Sequence, residues 1–248
     1  MKPIKVIFLF CFLYPLQYIW AQGNTNLTRD TKGFSSFQIG GIGSLDICYR
    51  TLENKRGDPS IDQLIKLENE NHTVKFGYHA GIGFCINVSK HFGMETGVIY
   101  SNRGYETKLQ EFIYVNPDPA APTHGRSIYN YNYIDVPLKA NFFAGKGKVR
   151  FYSSVGLVTN ILVAQNETFV RKYADGRTTY EVFQTSWPFE RVVFSGMVAA
   201  GIDIKFSEKL NLRVSPNFSH NIGRFVDAPI SGYLWNVGLS ADFYFGWN

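Results

Sequence analysis

Read for the spacing of its apolar positions, the chain is a succession of strands. From Thr73 to Val88, Val74, Phe76, Tyr78, Ala80, Ile82, Phe84, Ile86 and Val88 alternate with Lys75, Gly77, His79, Gly81, Gly83, Cys85 and Asn87. A period of two places the two sets on opposite faces of one extended segment. The C-terminus repeats the pattern, with Tyr233, Trp235, Val237, Leu239, Ala241, Phe243, Phe245 and Trp247 set against Leu234, Asn236, Gly238, Ser240, Asp242, Tyr244 and Gly246. Six more segments pass the same test: Phe37 to Arg50, Met94 to Arg103, Ile134 to Phe142, Val149 to Val163, Arg191 to Phe206 and Leu210 to Phe218. Pro137 lies inside one of them, where it cannot donate to a ladder, and it predicts a bulge or a water-satisfied carbonyl.

The connections separate the possible folds. Tight turns around Lys90 to Gly93, Gly145 to Lys148 and Ser207 to Lys209 alternate with long links, roughly Thr51 to His72, Thr107 to Ile128 and Asn166 to Pro188, and a shorter one from Gly223 to Gly232. Long loops gathered at one end and short turns at the other are the pattern of a bacterial outer-membrane barrel, not of a soluble sandwich. The predicted fold is therefore all-β, an eight-stranded antiparallel up-and-down transmembrane β-barrel.

Composition agrees. Charged residues are 18% and aromatics 16% of the 248 residues, which excludes disorder. A helical membrane protein is excluded too, since the longest nearly apolar stretch past the N-terminus, Val192 to Ile202, is short of the ~20 residues a spanning helix needs. Lys2 and Lys5 precede an apolar run from Val6 to Trp20 that ends at Ala21, the layout of a secretory signal peptide. The expected organisation is signal peptide 1–21, periplasmic segment 22–35 and barrel 36–248. Without Lys2 and Lys5 the formal charge falls from +5 to +3. No basic run tracks phosphates, so nucleic acid is not an expected partner.

Facing follows from which set could touch lipid. The polar set is rich in glycine and carries single charges near strand middles, as a crowded lumen requires, and the apolar set supplies a lipid-facing band. Tyr100, Tyr233, Trp235, Phe245 and Trp247 are the expected membrane-interface aromatics, and outer-membrane lipid is the expected surround. The predicted lumen network comprises Arg50, Lys75, Arg103, Lys139, Arg150, Arg191, Lys205 and Arg213 against Asp46, Glu95, Asp135, Asp203 and Asp242, with His79 as a hydrogen-bonding member. An eight-stranded barrel is just wide enough for side chains to fill, so a network of this kind closes the lumen. Cys48 and Cys85 fall about ten residues apart along one strand pair, roughly 33 Å, and are expected to stay reduced.

At this point the chain resembles the PorT-like outer-membrane β-barrel proteins, often labelled porin family. The resemblance is carried by Phe76-Gly77-Tyr78-His79-Ala80-Gly81-Ile82-Gly83, Glu95 to Gly104, Tyr133-Ile134-Asp135-Val136-Pro137-Leu138-Lys139 and Gly196 to Phe206. It implies the architecture and, because the namesake serves type IX secretion, permits a role in a larger envelope complex. Asn236, Gly238, Ala241 and Phe243 also resemble the C-terminal signal by which the barrel-assembly machinery recognises its clients.

Chemistry is sparse by comparison. The five histidines are scattered and lack His-x-x-x-His spacing, so no zinc site is expected. Ser219 and His220 are adjacent and point to opposite faces, and Gly81-Ile82-Gly83 lies within a strand with no helix after it. No catalytic residue, metal or cofactor is expected. Three readings remain: a non-enzymatic barrel with a structural or partner-binding role, an accessory of a protein-secretion or other envelope complex, and a narrow small-solute channel.

Overall fold

In the computed structural model the described residues are 37–116, 118–184, 189–226 and 229–247. The expected signal peptide and periplasmic segment lie outside them. Eight long strands follow one another: β1 Phe37–Asn54, β2 Lys75–Asn87, β3 Phe92–Thr107, β4 Pro122–Ala144, β5 Val149–Tyr173, β6 Val192–Lys205, β7 Leu210–Asn221 and β8 Ile230–Trp247. Each pairs antiparallel with the next. β1 also pairs with β8, from Phe37 opposite Trp247 to Asn54 opposite Ile230, which closes the ring. Closure removes the open edges that a sheet would otherwise present.

Alternation is what makes the ring two-sided. Along β1, Gln38, Ser44, Asp46, Cys48 and Arg50 are buried while Leu45 and Ile47 are exposed. Outward side chains reach 77% exposure at Leu45 and 85% at Phe76, far more apolar surface than a water-soluble monomer presents. Among the described residues no helix is long and apolar enough to cross a membrane, so the strands make the crossing.

The three tight turns sit at one end. Phe92 carbonyl accepts from Val88 N–H at 3.0 Å, and Leu210 carbonyl accepts from Phe206 N–H at 2.9 Å. In the β4–β5 turn Gly145 and Gly147 have φ of 113° and 107°, a backbone that favours glycine.

The loop end departs from expectation in two ways. The link read as loop from Thr51 to His72 contains a helix, α1 Pro59–Asn71, capped by Asp58, whose carboxylate accepts from Ser60 N–H at 2.9 Å. The Asp58-Pro59 start was legible, because an Asp before a Pro is a helix entrance. The segments read as loops around Ile128 and Asn166 are instead ladder, since β4 and β5 run to Pro122 and Tyr173. Strands Gln110–Glu111 and Thr178–Gln184 flank this extension and make a small sheet above the barrel.

Pro137 produces no bulge. The β3–β4 ladder skips from Thr96 opposite Leu138 to Ile99 opposite Asp135 without changing register, because proline removes one donor and not one residue. The register shift lies on the other side of β4, between Asn132 opposite Ala164 and Tyr133 opposite Leu162. One extra residue on β5 switches its faces. Below the bulge Asn160 shares the lumen face with Asp135, and above it Phe169 and Arg171 share the inward face with Ser127 and Gly125.

Cys48 lies opposite Lys75 and Cys85 opposite Gln38, on the same strand pair, and both thiols are free and buried. Their separation along the ladder is about 33 Å, beyond the ~7 Å that a disulfide spans. Reductant is therefore expected to leave the unfolding midpoint unchanged. A drop on adding dithiothreitol would contradict this placement.

Candidate functional site

The inward face forms layers along the barrel. Nearest the turns is a charged layer. Arg213 on β7, 1% exposed, reaches Glu95 on β3 at 2.8 Å and Asp203 on β6 at 3.4 Å. Asp203 is held again by Arg150 at 2.5 Å and by Asn211 at 2.6 Å. Glu95 is paired with Lys139 and accepts from Asn141 at 2.8 Å. The Arg213 guanidinium also lies 4.1 Å from the Tyr244 ring centroid and donates to Gln38 at 3.0 Å. Arg213, Glu95, Asp203, Lys139 and Arg150 thus each face an opposite charge, as burial demands.

Midway up, Asp46 accepts from Ser44 at 2.7 Å and sits 2.9 Å from His79 Nδ1. Asn217 donates to Ser44 at 3.2 Å. Here the carboxylate lies between the hydroxyl and the imidazole, so the base does not touch the hydroxyl as nucleophilic activation requires. Gly238 makes room for the cluster, since a Cβ there would come 1.8 Å from Asp46 Oδ1.

Higher still, Arg103 pairs with Asp135 at 2.5 Å, and Asn160 donates to the other carboxylate oxygen at 2.6 Å. Ser195 links Asn160 to Asn221, and Lys75 donates to Asn102. Above them an apolar layer crosses the lumen. Tyr105, Tyr131, Tyr133, Val193 and Leu234 pack with Phe225 from the β7–β8 loop, and Phe189 and Val226 join them. Phe189 bridges to Val226, and Val226 to Gly232, so two loops turn inward at the mouth.

At the mouth α1 is tied to the barrel by Glu68, which holds Arg50 at 2.8 Å, while Arg50 stacks 4.2 Å over Tyr105. His72 Nδ1 lies 3.1 Å from Arg50 and 2.5 Å from the Glu68 carbonyl. Burial lowers the His72 pKa below its ordinary value. At the other end of α1, hydrogen bonds from Ser60 lower that of Asp58.

The structure brings Asp46, His79, Glu95, Arg103, Asp135, Lys139, Arg150, Asp203 and Arg213 into these layers, with Arg50 at the mouth and Lys75 beside Asn102. Asp242 is buried on the same face, and Lys205 is half-buried at the turn end. Arg191 is different. It is exposed and precedes β6 instead of entering the lumen. Its parity matched the inward set, but the pleat that converts parity into facing begins only at Val192.

Of the interface aromatics, Tyr100 and Phe245 are exposed on the outer face, and Tyr233 and Trp235 are partly covered by His220 and Tyr49. The Trp247 side chain lies outside the described residues. Along β8, Asn236 is buried, and Ala241 and Phe243 face outward. The sequence reading set Tyr152 and Tyr244 on the polar face, where they are buried, and missed other uncharged members of the interior, including Ile42, Ile99, Tyr105 and Tyr131. Apolar residues at polar-face parity were the available signal. No group of three metal-ligating side chains occurs among the described residues.

Comparison with known proteins gives one family. Residues 20–225 match the outer membrane protein beta-barrel domain. No curated protein sequence matches the chain. Among solved structures, Neisserial surface protein A is similar at 10% identity over 86% of this chain and 98% of its own, with a TM-score of 0.44. OprG from Pseudomonas aeruginosa has 12% identity over 88% and 100%, with a TM-score of 0.41. Ail of Yersinia pestis has 11% identity over 83% and 97%, with a TM-score of 0.30.

Proposed function

The chain belongs to the outer membrane protein β-barrel domain family, and we propose that this barrel does not conduct and serves a structural or partner-binding role. The family places the protein in the outer membrane. Our finer reading is that a signal peptide cleaved after Ala21 exports it, that it belongs with the PorT-like barrels, and that the barrel-assembly machinery inserts it through the β8 pattern Asn236, Gly238, Ala241 and Phe243.

One observation carries the closed lumen. Two layers cross the axis at different heights: the Arg213, Glu95, Asp203 and Lys139 ion pairs near the turns and the Tyr131, Tyr133, Phe225 and Leu234 cluster near the loops. A solute would have to break the first and displace the second. Reconstitution in planar bilayers is expected to give no conductance steps above the lipid background, and reproducible single-channel steps would return the narrow-channel reading.

The partner role rests on the loop end. Ile113 and Val115 are 95% and 99% exposed beside the extension sheet, while Phe112 N–H, bonded to Thr123 carbonyl at 2.8 Å, and Tyr114 hydroxyl, bonded to Pro122 carbonyl at 2.9 Å, hold the segment in place. Fixed apolar side chains in water favour a protein contact. Such a partner includes a subunit of a secretion-type envelope complex. Purification of the tagged protein from native outer membranes is expected to recover a stoichiometric partner, and Ile113→Asp with Val115→Asp to lose it. Recovery of the barrel alone would leave the structural role.

A further inference from the structure

Between the charged layer and the aromatic layer the lumen holds a cavity of about 50 Å³ to which all eight strands contribute. Its walls are uneven in chemistry. Ile42, Ile99 and Met197 line it together with Ser219, Asn236 and Asp242. Those last three residues are 7%, 2% and 3% exposed, yet Ser219 Oγ, Asn236 Oδ1 and Asp242 Oδ1 have no hydrogen-bond partner among the described residues. Buried acceptors left bare are costly, and native proteins satisfy nearly all of them.

Size decides the ligand. At ~10–15 Å³ for each water centre, the cavity takes about four water molecules. It is far below the ~300 Å³ at which small-molecule pockets begin. Register supplies the spacing. Ser219 pairs with Asn236, Asn217 with Gly238, Ser215 with Ser240 and Arg213 with Asp242, and successive inward levels are about 6.6 Å apart. That is too far for one direct hydrogen bond and about what one bridging water covers.

Charge points the same way. Glu95, Asp203, Asp135 and Asp46 each have a cationic or imidazole partner within 4 Å. Asp242 has none at that distance among the described residues, although Lys139 and His79 line the same cavity. The contact with Asp46 occupies His79 Nδ1, which leaves Nε2 as the ring nitrogen for a further hydrogen bond in the cavity that His79 lines.

We propose that this cavity is a permanent binding site for a short file of water molecules that joins the Asp242 carboxylate to the Lys139 ammonium and the His79 ring. The water completes the polar interior. It is a bound component of the barrel, held between the two layers that close the lumen, and its presence is independent of any partner at the loops.

The test uses the full barrel in lipid nanodiscs with labelled methyl groups. Water-to-methyl cross-peaks are expected at Ile42, Ile99 and Met197, and xenon pressure is expected to leave those methyls unshifted, because dry apolar cavities take up xenon and hydrated polar ones do not. Absence of the cross-peaks, with xenon shifting the same methyls, would overturn the proposal. In Ser219→Val, which fills the upper end of the cavity, the Ile99 cross-peak is expected to fall at least twofold while heat-modifiable migration persists. Full intensity in that folded variant would also overturn it, and if the variant does not fold the unmodified barrel decides.

Discussion

Replacing Arg213 by methionine is expected to lower the unfolding free energy of the barrel in lipid vesicles by about 3 kcal/mol, the lower part of the range for stripping a partner from a buried ion pair. The guanidinium binds Glu95 and Asp203 at once and stacks on Tyr244. Removing it leaves both carboxylates in the interior with one cation each, Lys139 and Arg150. Those second partners are why the cost stays near the lower bound. Arg213→Lys is expected to fall between, because an ammonium keeps the charge but not the planar fork or the stacking. Combining Arg213→Met with Glu95→Gln is expected to recover part of the loss, since the pair is coupled. The readout is the urea midpoint, followed by the electrophoretic mobility shift between folded and unfolded barrel. A loss under 1 kcal/mol for Arg213→Met would mean that the charged layer does not act as a connected unit.

Arginine at Ile82 carries the other large effect, about 2–4 kcal/mol, the cost of a guanidinium on the lipid face near the bilayer midplane. Ile82 lies five residues above the β2–β3 turn, faces outward at 53% exposure and neighbours Val98 and Gly41 across the ladders. The control is Val115→Arg. Val115 is 99% exposed on a loop beside the extension sheet, where water solvates the new charge and the expected change is within ~0.5 kcal/mol. Both sites are open apolar positions, so only the medium around them differs. Equal and small effects in vesicles would remove the assignment of the outer face to hydrocarbon.

Some of the interior was legible and some was not, for a reason visible in single residues. Asp46, Glu95 and Asp203 could be placed inward from their neighbours alone, because strand parity is local. Arg191 obeyed the same parity and failed, since it stands one residue before the pleat of β6 begins. Phe169 is the opposite case. Its inward face follows from a single unpaired residue on β5, which the alternation of Val149 to Val163 does not reveal. Helix α1 was missed although Asp58 and Pro59 announce it, because reading the segment as a long extracellular connection left no reason to test for period 3.6.

By itself the sequence determined the eight strands, the end at which the long loops gather and the faces of the regularly alternating stretches, because a period of two and a run of turn residues are properties of neighbours along the chain. Only the tertiary structure decided that Arg213 meets Glu95, 118 positions away, that Phe225 and Phe189 fold into the mouth, and that Asp242 looks onto a cavity. Those contacts run across the barrel axis, and which inward residues share a level depends on how the ring closes and staggers, a relation among all eight strands that no single one encodes.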